Sequence, residues 1–186
     1  CKKKAKELNL DNQVSFELAD YREVEGEYDR IYSVGMFEHV GKKFYNVFFK
    51  SISKLLKNDG MFLLHTIGVV DKPTPPNKFI NKYIFPGGIC PSLSQIVKPI
   101  EKTGLIVADT ETLIRHYDKT LLSWLNRFME KKHLVKDMFD EKFVKMWSFY
   151  LASCAAAFRY RDLAVFQLQI VKNFNAARPT RDYIYS

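Results

Sequence analysis

YDRIYSVGMFEHVG, residues 28–41, reads as a buried strand that stops abruptly and hands a carboxylate, Glu38, to whatever lies beyond its end. Ile31, Val34, Met36 and Phe37 are apolar, Tyr32 and Ser33 suit a strand, and Gly35 permits the sharp change of direction that a strand-to-helix turn needs. Residues 61–68, MFLLHTIG, repeat the design, with an apolar run followed by His65, Thr66 and a glycine. If the two strands are parallel neighbours, roughly 4.8 Å apart, Glu38 and His65 both face the crevice outside the carboxyl ends of the strands. Ligands gather at that crevice in open α/β sheets.

Working outward, residues 2–8 suit the tail of a helix, and residues 14–18 (VSFEL) alternate well enough for a strand, with Asp20, Tyr21 and Arg22 at its end. Residues 42–57 carry Phe44, Val47, Phe48, Ile52, Leu55 and Leu56 at helical spacing, and Asn58-Asp59-Gly60 is expected to stop that helix. Strand, strand, helix, strand is the alternation of a parallel α/β sheet. Pro73, Pro75 and Pro76 then mark a loop. Ser92 is the expected N-cap of a helix over 92–103 that Pro99 interrupts, and Gly104 ends it. Residues 105–113 alternate as a strand, residues 117–132 and 140–160 are helical by spacing, and residues 163–171 form a closing strand. The tail, residues 173–186, has no core pattern.

The helical stretch over 113–160 holds Leu121, Leu122, Trp124, Leu125, Phe128, Met129, Phe143, Met146, Trp147, Phe149 and Tyr150. Most are expected in an ordinary core, with the excess lining a slot for an apolar substrate. The 186 residues fit one domain, and no apolar run approaches the length that spans a bilayer. Cys1, Cys90 and Cys154 form no CxxC pair, which argues against a zinc site and a disulfide framework and favours a reducing compartment. An excess of 29 basic over 21 acidic residues suits either a solvated basic exterior or a polyanionic partner. The scatter of the lysines speaks against nucleic acid.

The segments DYRE (20–23), YDRIYSVGMFEHVG, GMFLLHTIG (60–68), INKYIFPGG (80–88), HYDKTLLSW (116–124) and CAAAFRYRDL (154–163) together resemble the cyclopropane-fatty-acyl-phospholipid synthases and the related mycolic acid cyclopropane synthases. The resemblance covers nearly the whole chain and stops in the tail. It implies an α/β, class I S-adenosylmethionine-dependent methyltransferase (Rossmann-like) fold with a helical, lipid-binding insertion over 113–160 before the last strand. It also implies methylene transfer to a cis double bond of a phospholipid acyl chain, through a carbocation, with bound bicarbonate as the base. Residues matching those that hold bicarbonate are Glu38, His65, the backbone of Ile67, and Tyr117. Asp20, Tyr21 and, less securely, Arg22 fall where the adenine of S-adenosylmethionine is recognised.

The chemistry agrees with the residue types, because a phenol and an imidazole can donate to bicarbonate oxygens and a carboxylate can accept from its hydroxyl. Taken singly, Glu38 also suits a first-turn carboxylate complementing a helix dipole, and His65 a hydrogen-bonded core histidine. His39 and His116 are expected in supporting roles and His133 at the surface. The family's glycine-rich cofactor loop, ribose-binding acid and bicarbonate-site cysteine would precede Cys1. The chain is therefore expected to be the C-terminal part of a single, N-terminally truncated methyltransferase domain and, as such, inactive. Expected partners are membrane phospholipids with unsaturated acyl chains, at the cytoplasmic surface of the inner membrane, and a second copy in a homodimer. Two other readings stay open: a related lipid methyltransferase without ring closure, and an inactive basic membrane-binding fragment.

Overall fold

A mixed sheet of order β1-β2-β4-β3 organises the protein. The structure, a computed structural model, describes residues 1–75 and 77–185, so Pro76 of the proline loop and Ser186 of the tail lie outside the described residues. In chain order the elements are α1 (Lys2–Glu7), β1 (Tyr28–Val34), α2 (Phe37–Val40), α3 (Tyr45–Leu55), β2 (Leu56–Val69), α4 (Lys78–Tyr83), α5 (Leu93–Glu101), β3 (Ile106–Leu113), α6 (His116–Glu130), α7 (Lys132–Met138), α8 (Glu141–Tyr160), β4 (Leu163–Val171) and α9 (Asp182–Tyr185). β1 and β2 are parallel neighbours, the condition on which the pairing of Glu38 with His65 rested, and Val34 pairs with His65. β4 runs antiparallel to both β2 and β3.

Side chains alternate across the sheet, so each strand feeds two layers. Phe62 and Leu64 of β2, with Ala164, Phe166, Leu168 and Ile170 of β4, join Phe48, Phe49 and Ile52 of α3 and Ile96 and Ile100 of α5 in one core. On the other face, Ile67 and Val165 meet Leu121 of α6 and Leu151, Ala155 and Phe158 of α8. Ser92 starts α5 as expected, its N–H donating to Gln95 Oε1 at 3.0 Å. Pro99 sits inside that helix, buried against the first core.

Four expectations need correction. Residues 14–18 form no strand: the alternation is present, but no neighbouring strand pairs with it, and Leu18 is fully exposed. Among the described residues β1 is an outer strand rather than a buried one, paired with β2 alone, and it leaves Tyr32 and Val34 exposed. Asn58-Asp59-Gly60 does not separate helix from strand. β2 already begins at Leu56, and the three residues occupy an irregularity in the β1–β2 register between the Tyr28–Leu56 and Arg30–Met61 pairs. Of the apolar residues singled out on α6 and α8, only Leu121 and Tyr150 are fully buried, while Trp124, Met129 and Phe149 are exposed. These helices pack mainly on each other, so a layer of that thickness has more apolar surface than it can cover.

The tail, read as polar and without a core pattern, folds back on the sheet through polar contacts. Arg181 makes a two-pronged ion pair with Asp109 of β3, both bonds at 2.6 Å, and Tyr183 Oη donates to Gln169 of β4 at 2.8 Å.

Candidate functional site

Gly35, at φ 66°, turns the chain out of β1 in the left-handed region that glycine tolerates best, and α2 follows at once. Phe37, fully buried, anchors this turn by stacking on Tyr45 at 4.3 Å and leaning on Phe48 and Phe49. The next residue, Glu38, is thereby carried into the interior, where it is 8% exposed. Its Oε1 accepts the Ile67 N–H at 2.8 Å, tying the tip of β1 to the end of β2. Its Oε2 is buried with no hydrogen-bond partner. A carboxylate oxygen in that state is costly unless something donates to it.

Tyr117 enters from the first turn of α6. The neighbouring Asp118, buried, receives two bonds from Arg159 of α8 (2.9 and 3.0 Å), which fixes this end of α6 on α8. The Tyr117 ring packs on Phe158 and Trp124 in the same cluster as Ile67. Burial raises its pKa, and the charges of Glu38 and Cys154 add to the rise, so the phenol keeps its proton and remains a donor. His65 lies two residues before Ile67 on the same face of β2. Its Nδ1 accepts from Gln167 Nε2 at 3.0 Å, the directly opposed residue of β4, which leaves the ring proton on Nε2.

Glu38, Ile67 and Tyr117 are thus brought together, with His65 adjoining them on the same strand face. The backbone of Ile67, expected to hold a bound anion, is engaged by Glu38 instead and orients that carboxylate. His39 lies edge-on to Phe85, and His116 and His133 are exposed.

Four further groups lie in the same neighbourhood, Cys90 and Tyr45 within reach of Glu38 and Tyr150 and Cys154 beyond them, and none was placed at the site by the sequence reading. Cys90 is pushed up to about 12 by burial, with Glu38 and Cys154 contributing. Tyr45 rises to about 12 through burial and then through Cys90 and Glu38, and its hydroxyl is buried without a partner. Tyr150 reaches about 12 through burial, Cys154, Tyr117 and Cys90, and burial lifts Cys154 to about 11. These groups feel one another's charge, so they share one low-dielectric neighbourhood. Spacing along the chain gave no sign of it, since only the fold joins residues 38, 45, 90, 117, 150 and 154.

Asp20, Tyr21 and Arg22 form a separate, more open unit. Asp20 accepts from both the backbone and the guanidinium of Arg22, which holds its carboxyl at about 2. Tyr21 lies edge-on to Phe48, 5.4 Å between centroids, and Phe48 in turn touches Phe37. One line of rings therefore connects this unit to the turn that carries Glu38. Among the described residues no His, Cys, Asp and Glu cluster suits a metal ion, and no helix is long and apolar enough to cross a membrane.

Comparison with known proteins gives the arrangement a lineage. The chain is 42% identical over 155 residues to the cyclopropane-fatty-acyl-phospholipid synthase of Escherichia coli (strain K12), covering 83% of this chain and 40% of that protein. It is 35% identical over 167 residues to the tuberculostearic acid methyltransferase UfaA1 of Mycobacterium tuberculosis (strain ATCC 25618 / H37Rv), covering 87% and 39%. The chain thus spans about 40% of the length of these curated relatives. Among solved structures, the mycolic acid cyclopropane synthase CmaA1 complexed with SAH and CTAB superposes with a TM-score of 0.76 at 32% identity, over 83% of this chain and 59% of that one. The fold is accordingly the class I, Rossmann-like fold of S-adenosylmethionine-dependent methyltransferases. With the model of the mycolic acid cyclopropane synthetase family matching residues 1–168, into β4, the chain belongs to that family.

Proposed function

We propose that the protein takes part in S-adenosylmethionine-dependent methylene transfer to a cis double bond of a phospholipid acyl chain, closing a cyclopropane ring. The observation that carries this reading is the buried, unpartnered Oε2 of Glu38, set between the ends of β1 and β2 with the Tyr117 phenol within electrostatic reach. The donor set fits bicarbonate: Glu38 Oε2 would accept its hydroxyl, and Tyr117 Oη and the His65 ring would donate to its oxygens. When bound, bicarbonate supplies the base for the proton lost from the new methyl group, and S-adenosylmethionine supplies the methyl.

The residues of this chain prepare the site for those groups. Ile67 N–H fixes the Glu38 carboxylate, Gln167 selects the His65 tautomer, and the Arg159–Asp118 pair holds the start of α6 so that Tyr117 keeps its place. The rings of Tyr117, Tyr150, Phe158 and Trp147 exclude water, which protects a carbocation from capture as an alcohol. Asp20 and Tyr21 are assigned to the adenine, the acid accepting its amine and the ring lying against its face, with Arg22 positioning Asp20. Trp124, Met138, Phe139 and Phe149, exposed on α6–α8, offer an apolar surface suited to acyl chains or to the membrane they come from. That surface supports peripheral attachment at the inner membrane.

Glu38→Gln keeps the shape but removes the charge that accepts the anion's hydroxyl. In the full-length enzyme it should lower turnover by about 10²-fold or more, while cofactor affinity, read by calorimetry, changes less than about twofold. A wild-type rate in this variant sinks the proposed site. The tuberculostearic acid methyltransferase among the relatives favours a second reading, methylation without ring closure. Mass spectrometry of the lipid product separates the two, since only ring closure yields the cyclopropane.

A further inference from the structure

A groove of about 490 Å³ runs between the start of α3 and the length of α5, on the sheet face opposite α6 and α8, lined by Lys42, Tyr45, Asn46, Ser94, Lys98 and Lys102, among others. Ser94, Lys98 and Lys102 recur at four-residue intervals, so they form one stripe along α5 and its C-terminal end. Lys42 faces them from the turn before α3. No carboxylate lines the groove, and among the described residues none of the three lysines belongs to an ion pair. Its wall includes Tyr45, whose buried hydroxyl has no hydrogen-bond partner and whose ring stacks on Phe37, the residue before Glu38. Three unpaired ammonium groups beside the small polar side chains of Asn46, Ser94 and Gln95, with Pro73 and Pro99 in the same lining, make a receptor for a compact anion.

We infer that this groove binds a phosphate group, and that its source is the phosphodiester of the phospholipid headgroup. The second half of the inference rests on the lipid reading above; the first does not. Held there, the headgroup would lie against Tyr45, whose ring stacks on Phe37, the residue before Glu38. Lysine, a flexible point charge, suits headgroups that share a phosphate and differ beyond it.

The test uses K42A/K98A/K102A and a control of equal charge change on the helical layer, K132A/K142A/K145A, at low ionic strength. Monomeric dihexanoyl-phosphatidylglycerol and inorganic phosphate are the two probes, titrated by calorimetry. Each lysine beside an anionic lipid is worth roughly fivefold in affinity, so the groove variant should bind the short-chain lipid on the order of 100-fold more weakly. The control should change by less than about threefold. Unchanged lipid binding in the groove variant, or equal losses in both variants, overturns the site and leaves the lipid reading standing. Wild-type protein that binds inorganic phosphate through the three lysines but ignores the lipid overturns the headgroup as the source and counts against the lipid reading itself.

Discussion

Gly68 shows how tightly single positions are constrained beside the site. A Cβ built there would overlap the Pro91 carbonyl oxygen and the Phe166 ring, because the segment before α5 crosses directly over the end of β2. Backbone and a fully packed ring cannot retreat without moving β4. Gly68→Ala should therefore cost about 1–3 kcal/mol of stability, measured by urea unfolding, and should lower activity as well, since Ile67 next door holds Glu38. An unchanged midpoint would mean that the crossing segment is free to lift. Glu38 itself was singled out early only together with the matching segments around it, since a lone carboxylate in a first helical turn also serves a helix dipole. Its unpartnered oxygen was not legible, since satisfaction depends on atoms that only the folded chain places.

At the scale of elements, strands that find a partner were readable close to their observed bounds, the edge strands β1 and β3 included. β4 was expected at its observed bounds because burial on both faces demands an unbroken apolar run, LAVFQLQIV, softened only where Gln167 and Gln169 meet partners. Residues 14–18 show the same pattern in miniature, yet pairing, which no local pattern guarantees, is missing. The tail misled for the opposite reason, as its few contacts are polar. Arg181 and Asp109 make it a strap across β3 and β4, and the guanidinium holds the Asp109 carboxyl below its usual range. Because the folded pKa is depressed, the strap's contribution is complete above the unfolded carboxylate value near 3.9 and is lost as pH falls through the lower folded value. Hydrogen exchange of the Tyr183 region should accordingly stay slow from neutral pH down to that range and speed up below it. Arg181→Ala should exchange quickly throughout, and equal protection in both proteins would show that the ion pair is not what holds the strap.

For the whole molecule, the sheet separates two unlike layers: a compact α3–α5 side filled with phenylalanine, and an α6–α8 side with more apolar surface than it buries. The motifs pointed to the candidate site because Glu38, Ile67 and Tyr117 sit near element ends, where the chain must change direction. The surrounding shell stayed hidden because Tyr45, Cys90, Tyr150 and Cys154 arrive from four distant segments. That shell also governs how the molecule meets electrophiles. Thiols react as thiolates, and Cys90 and Cys154, lifted to about 12 and about 11, hold almost none at neutral pH, whereas Cys1 is exposed. A maleimide dye at pH 7 should therefore mark Cys1 alone, giving a uniformly tagged protein for fluorescence work without any cysteine being removed; peptide mapping that finds label on Cys90 would contradict the enclosed shell.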